Sequence, residues 1–97
     1  VNMHQFKGFF ITFEGGEGSG KSTQLSLLKQ AFEAAGLPAD ATREPGGTTG
    51  AEAIRRLVVE GEPDAWDAAT ETLLFTAARV DHVRKRIIPA LRQGTHV

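Results

Sequence analysis

The stretch from Phe9 to Thr23, FFITFEGGEGSGKST, constrains this chain more than any other. It contains the pattern G-x-x-x-x-G-K-[ST], filled by Gly15, Gly20, Lys21 and Ser22. Apolar and β-branched residues, Phe9 to Phe13, come just before it. A stripe of Leu25, Leu28, Phe32 and Ala35 at helical spacing comes just after. Strand, glycine loop, helix is the setting in which this pattern has a mechanism. Gly15, Gly16, Gly18 and Gly20 lack a Cβ, so the backbone can fold into a nest of inward N–H groups suited to phosphate oxygens. The helix that follows adds its own unpaired N–H groups and the positive end of its dipole. Lys21 supplies a mobile positive charge, and Ser22 a hydroxyl for a phosphate-bound magnesium ion. The plainer reading is a Gly-rich turn without a ligand, which does not account for Lys21 and Ser22 after a buried strand.

Sheets that carry such a loop are built from βαβ units of about 30 residues or more. The 97 residues hold about two and a half of these. Gly94-Thr95-His96-Val97 reads as the entry to a further strand. The expectation is an α/β fold, a parallel sheet flanked by helices, with residues 1–97 as the N-terminal part of a single P-loop domain. A net charge of −1 does not favour nucleic acid or an anionic membrane as partner. There is no cysteine, hence no disulfide frame or thiolate metal site. No run is long enough to span a membrane and the start lacks a signal peptide's apolar core, so a cytoplasmic location fits.

Val1 to Lys7 reads as a loose arm, with His4 a surface histidine. Phe9 to Glu14 is expected as a central parallel strand covered on both faces. A first helix is expected over Lys21 to Ala35, stopped by Gly36 with Pro38 beyond. Ala39 to Thr42 is a weak second strand, required by topology more than by propensity. The Arg43-Glu44-Pro45-Gly46-Gly47-Thr48 loop would then share the carboxyl edge of the sheet with the phosphate loop, where ligands bind. An ordinary connection with its charges in water fits that segment equally well. Thr49 to Glu60 has helical spacing, with Ile54, Leu57 and Val58 apolar and Arg55 and Arg56 on the polar side. Gly61, Pro63 and Asp64 break it, and Trp66 reads as a packing residue. Asp67 can cap a long helix reaching about Leu91, with a stripe of Leu73, Ala77, Val80, Ile87 and Leu91 interrupted by Arg84. Pro89 marks a kink or an end. Phe75 and Arg79 share a helix face. They can form a surface cation–π pair, which the residues alone favour, or half of a base-binding site. His82, one turn on, reads as a solvated side chain.

Four separated segments, FEGGEGSGKSTQ, TREPGGT, LLFTAARVDHV and IIPALRQGTHV, resemble thymidylate kinases in order and spacing. That resemblance implies the P-loop nucleoside monophosphate kinase fold and transfer of the γ-phosphoryl group of ATP to dTMP, giving dTDP. By the same resemblance Gly15, Gly16, Glu17, Gly18, Ser19, Gly20, Lys21, Ser22 and Thr23 would hold the ATP phosphates, with Ser22 at Mg2+. Lys21 and Glu17 would be catalytic, Glu17 facing the acceptor nucleotide. Glu44 and Pro45 would wall the acceptor pocket. Arg55 would grip the dTMP phosphate, Phe75 would stack on thymine, and Arg79 would donate to a thymine carbonyl. Gly18, where some members carry arginine, resembles the bacterial subtype, whose mobile lid would lie beyond Val97. An Asp-Arg motif and the adenine-binding segment would lie there too, so residues 1–97 alone are expected to be inactive. A homodimer is implied by analogy. The alternatives are another P-loop nucleoside monophosphate kinase with a different base, and a non-catalytic nucleotide-binding switch, for which no γ-phosphate-sensing loop is found.

Overall fold

A computed structural model of the chain describes residues 6–97, so His4 and most of the expected N-terminal arm lie outside it. The described elements are α1 (Lys21–Ala34), α2 (Thr49–Val58), α3 (Ala68–His82), a π-helical turn (Val83–Ile87) and α4 (Ile88–Arg92). They fall into two compact units, residues 6–41 with 89–97, and Thr42–Ile88.

In the first unit α1 starts after Gly20 and stops where glycine allows it. Gly36 has φ 77°. Its N–H reaches the Glu33 carbonyl at 3.0 Å and that of Leu37 reaches Phe32 at 2.9 Å, the paired bonds of a Schellman ending. Leu25, Leu28 and Phe32 are half-buried, and Ala35 is exposed.

Neither expected strand forms as such. The β-pairing assigned among the described residues is one isolated parallel bridge, Ala39 to His96. Asp40 N–H reaches the His96 carbonyl at 2.8 Å, and His96 N–H reaches Pro38 at 2.9 Å. On the other side Val97 N–H reaches Phe9 at 2.9 Å, and Ile11 N–H reaches Val97 at 2.7 Å. His96–Val97 is thus paired in parallel on both flanks. A ladder is no longer than its shortest member, and Thr95 is already committed to the Ala90 carbonyl at 2.9 Å. Among the described residues the pairing is thus confined to His96 and Val97. The His96 ring stacks with Phe9 (centroids 5.5 Å) and with Phe32 (4.8 Å), and its Nδ1 accepts from Phe9 N–H at 2.9 Å. The expectation that Phe9 to Glu14 is covered on both faces is corrected: Phe9 is 70% and Phe10 54% exposed.

In the second unit α2 packs on α3. Ala51 of α2 and Ala78 of α3 are fully buried, small side chains that let two helices approach closely. A Cβ on Gly50 would lie 3.0 Å from Asp81 Oδ2, another sign of that closeness. Both N-termini are capped, Thr48 Oγ1 accepting from Ala51 N–H at 3.0 Å and Asp67 Oδ1 from Thr70 N–H at 2.7 Å. Trp66, expected as a packing residue, is 37% exposed and is tied to the end of α2 by a polar contact, its Nε1–H donating to the Leu57 carbonyl at 3.0 Å.

The stripe expected to face the core does so only at its end. Ile87 and Leu91 are buried, but Leu73 is 70% and Val80 42% exposed. The buried line along α3 is Ala78 and His82 instead. Polar partners in the loop before α2 draw this side of α3 inward, as shown below. The long helix changes pitch before Pro89, which has no N–H to give the Lys85 carbonyl. Ile88 N–H closes instead on the wider turn to Val83.

Residues 1–97 expressed alone leave Phe9, Phe10, Leu27 and Leu73 to solvent beside unpaired strand backbone. They should bind an apolar dye and associate with rising concentration in light scattering. A monomer with a sharp thermal transition and no dye binding would contradict this.

Candidate functional site

The phosphate-loop residues lie in the first unit. Gly15 to Thr23 are all exposed. Ser19 N–H closes a turn onto the Gly16 carbonyl at 3.3 Å. Of the four glycines, Gly18 (φ 74°) and Gly20 (φ 86°) take left-handed backbone, while Gly15 and Gly16 do not. Gly20 sits at the N-cap of α1, so no side chain caps that helix, and no acid lies in its first turn. Helices α2 and α3 differ, each having a side-chain cap and a first-turn glutamate, Glu52 or Glu71. The ladder of α1 begins with Gln24 N–H on the Gly20 carbonyl at 3.0 Å. The amides of Lys21, Ser22 and Thr23 therefore precede it at the positive end of the dipole, where an anion is favoured. Lys21 and Ser22 stand in that first turn, and Glu17 lies at the exposed loop. Among the described residues no group of three or more His, Cys, Asp or Glu is placed to hold a metal ion. Magnesium bound chiefly by phosphates and water needs only one or two protein oxygens, and the open Ser22 hydroxyl fits that role.

The remaining expected site residues, Glu44, Pro45, Arg55, Phe75 and Arg79, lie in the second unit. The charged residues of the Arg43–Thr48 loop, Arg43 and Glu44, are exposed but paired. Glu44 turns onto α3 and divides its carboxylate. Oε1 accepts from Arg79 Nε–H at 2.7 Å, and Oε2 lies 3.0 Å from His82 Nδ1. Burial pushes the Glu44 carboxyl up. The hydrogen bonds of His82 and Arg79, with the Arg79 charge, outweigh it and hold the group below its ordinary value. An ionised carboxylate only accepts, so the proton on the near side of His82 belongs to Nδ1. Nε2 lies 2.8 Å from the Thr42 hydroxyl. His82 is 1% exposed, against the expectation of a solvated side chain.

Arg55, on the polar side of α2, turns toward the loop. It is half-buried, its Nη1 donates to the Pro45 carbonyl at 2.9 Å, and its buried Nε has no partner. The Glu44–Pro45 peptide bond is cis. Phe75, one turn before Arg79, is 37% exposed. The two do not form the surface cation–π pair favoured from the residues alone, because Arg79 turns to Glu44. The cation–π contact among the described residues is Arg92 over Phe6, 5.8 Å from its centroid.

Further bonds hold the loop in place. Glu52 of α2 accepts from Arg43 Nη2 and from Gly47 N–H, each at 3.0 Å. Arg86 Nη1 donates to the Gly47 carbonyl at 2.9 Å. Thr48 Oγ1 donates to Asp81, which also pairs with Lys85 at 2.6 Å. Gly47 has φ 93°, a conformation closed to most residues, and a Cβ there would run into the His82 ring. Sequence reasoning missed His82. The signals were its spacing, three residues after Arg79 and four after Ala78, and Gly47, which makes room for a ring.

The thymidylate kinase family model matches residues 13–97. The chain belongs to the thymidylate kinase family. It is 62% identical over 87 residues to the thymidylate kinase of Ruegeria pomeroyi, covering 90% of this chain and 41% of that protein. It is 59% identical to that of Rhizorhabdus wittichii over 93% of this chain and 43% of the relative. It is also similar to the crystal structure of thymidylate kinase from Ehrlichia chaffeensis, with a TM-score of 0.72 and 38% identity over 92% of this chain and 51% of that one. The fold is that of a P-loop nucleoside monophosphate kinase. The chain spans about two fifths of the length of these curated thymidylate kinases.

The Glu52 carboxyl is held at about 2, below its ordinary 4.5, by the Arg43 and Gly47 hydrogen bonds. A depressed carboxylate stabilises fully above its unfolded value and less as pH falls through the folded one. Glu52→Gln should therefore lower the melting temperature at pH 7. Its difference from wild type should narrow between pH 4.5 and about 2, and at high salt. A pH-independent difference in thermal melts would rule out this role for Glu52.

Proposed function

We propose that this chain is the N-terminal part of an ATP-dependent dTMP kinase, transferring the γ-phosphoryl group of ATP to dTMP and giving dTDP. The observation that carries this reading is the Glu44–Arg79 bond at 2.7 Å. It uses only the Nε edge of a side chain that is 71% exposed, leaving both terminal nitrogens for a ligand. Their donors suit a carbonyl, and Phe75 on the same face offers a ring for a base to stack on. Stacking helps every base and contributes about 1–3 kcal/mol. Arg79 is donor-only, so it favours thymine O4 over the cytosine amino group.

The other roles belong to the same reading. Gly15, Gly16, Glu17, Gly18, Ser19 and Gly20 would enclose the ATP phosphates with the free amides of Lys21, Ser22 and Thr23. Lys21 would follow the γ-phosphoryl group as charge shifts between donor and acceptor. Mg2+ carried on the phosphates, held by Ser22, would neutralise charge between them. Glu17 would meet the acceptor deoxyribose or magnesium-bound water. Glu44 and Pro45 would form a pocket wall. The unpartnered Nε of Arg55 is a charged donor left unspent, suited to the dTMP phosphate. A cytoplasmic homodimer is part of the reading. No helix among the described residues is long and apolar enough to cross a membrane. The exposed Leu73 and Val80 suit a helical interface.

The full-length protein given ATP, Mg2+ and dTMP should form dTDP. It should also bind dTMP and an ATP analogue together, whereas a switch has one nucleotide site. Lys21→Ala should lower kcat roughly a hundredfold or more, about 3 kcal/mol of transition-state stabilisation. Arg79→Ala should lower kcat/KM for dTMP by about tenfold to a hundredfold, or about 1.4–2.8 kcal/mol, and much less for dCMP. An unchanged dTMP to dCMP ratio would remove Arg79 from base reading, and one saturable nucleotide site would favour the switch.

A further inference from the structure

We propose that His82 is a positioning residue for base choice, setting the angle of Arg79 through Glu44. The inference rests on the dTMP kinase reading and adds a residue to that site. Among the described residues His82 is the largest fully buried side chain, and both its ring nitrogens are hydrogen-bonded. The bonds run in a fixed direction. The ionised Glu44 accepts at both oxygens, so His82 Nδ1 donates to Oε2 and Arg79 Nε to Oε1. In a neutral ring Nε2 then accepts from the Thr42 hydroxyl. Gly47 closes the remaining side, where a Cβ would strike the ring. The ring cannot turn without breaking one bond or meeting that backbone.

Glu44 therefore has one oxygen anchored in a rigid place and one that aims the guanidinium. Arg79 itself is exposed and has no other bond among the described residues. An exposed arginine loses little by swinging away from a carboxylate. What gives it a preferred direction is a carboxylate that cannot follow it. A well-aimed fork of donors discriminates between a carbonyl and an amino group, and a wandering one does so less well. Thr42, His82, Glu44 and Arg79 thus form one relay from the interior to the exposed guanidinium.

The test separates the two ring nitrogens in the full-length protein. Asparagine places an N–H close to the position of histidine Nδ1, whereas glutamine reaches the position of Nε2. His82→Asn should keep the dTMP to dCMP ratio of kcat/KM within about twofold of wild type, and His82→Gln should lower it about tenfold. For His82→Gln the loss should lie in KM for dTMP, with KM for ATP unchanged. Thr42→Val keeps the ring but drops its outer anchor, and should shift the ratio the same way by about threefold. If His82→Gln does not fold, Thr42→Val with His82→Asn decides. Equal losses for Asn and Gln on dTMP, dCMP and ATP alike would make His82 a plain core histidine and overturn the proposal. So would a Thr42→Val enzyme with the wild-type ratio. Either result leaves the dTMP kinase reading standing. A wild-type protein without dTMP kinase activity would end both.

Discussion

The carboxylate of Glu44 joins the loop before α2 to the face of α3, and the arrangement of the second unit follows from how that carboxylate is shared. One oxygen goes to an exposed arginine and the other to a buried histidine. The two bonds differ in worth. An ion pair with a side chain 71% exposed contributes little, about 0–1 kcal/mol by itself. Stripping a buried histidine of a partner leaves an unsatisfied polar atom, at about 1–3 kcal/mol. The buried half therefore holds the loop, and the exposed half is free to serve a ligand. Glu52 does similar work one step away, its Oε2 accepting from Arg43 and its Oε1 from the Gly47 amide and, more loosely, from Arg43 as well.

The first unit handles charge in the opposite way. Where α2 and α3 satisfy their own N-termini with Thr48 and Asp67, α1 begins at a glycine with nothing to offer. Its first amides, Lys21 and Ser22 stand in water around a loop without bulk. One unit thus presents unspent positive potential, and the other presents a shaped, internally bonded wall.

Much of this was legible in the sequence, for local reasons. Gly20 and Gly36 bound α1 because helix ends obey backbone rules that neighbours rarely override. Asp67 caps α3 for the same reason. The stretch over Phe9 to Glu14 pairs with Val97 through Phe9 and Ile11, yet forms no assigned strand among the described residues, because strand pairing depends on distant partners that local propensity does not reveal. The apolar stripe through Leu73 and Val80 was misread because hydrophobicity was weighed without hydrogen bonding. Thr42, Thr48 and Glu44 supply partners that turn Asp81 and His82 inward, and no helical period reveals them. The bond from Arg55 to the Pro45 carbonyl is likewise beyond what helical spacing reveals. The glycine loop and the Phe75–Arg79 spacing point to chemistry, whereas His82 acts through contacts from residues about forty positions away.

The most direct measurement is a crystal structure of the full-length protein with dTMP bound. The account places the thymine ring on Phe75, with O4 about 3 Å from an Arg79 terminal nitrogen while Arg79 Nε still bonds Glu44. It also keeps His82 between Glu44 and Thr42. A thymine ring bound away from Phe75, or an Arg79 that leaves Glu44 to reach it, would contradict the account.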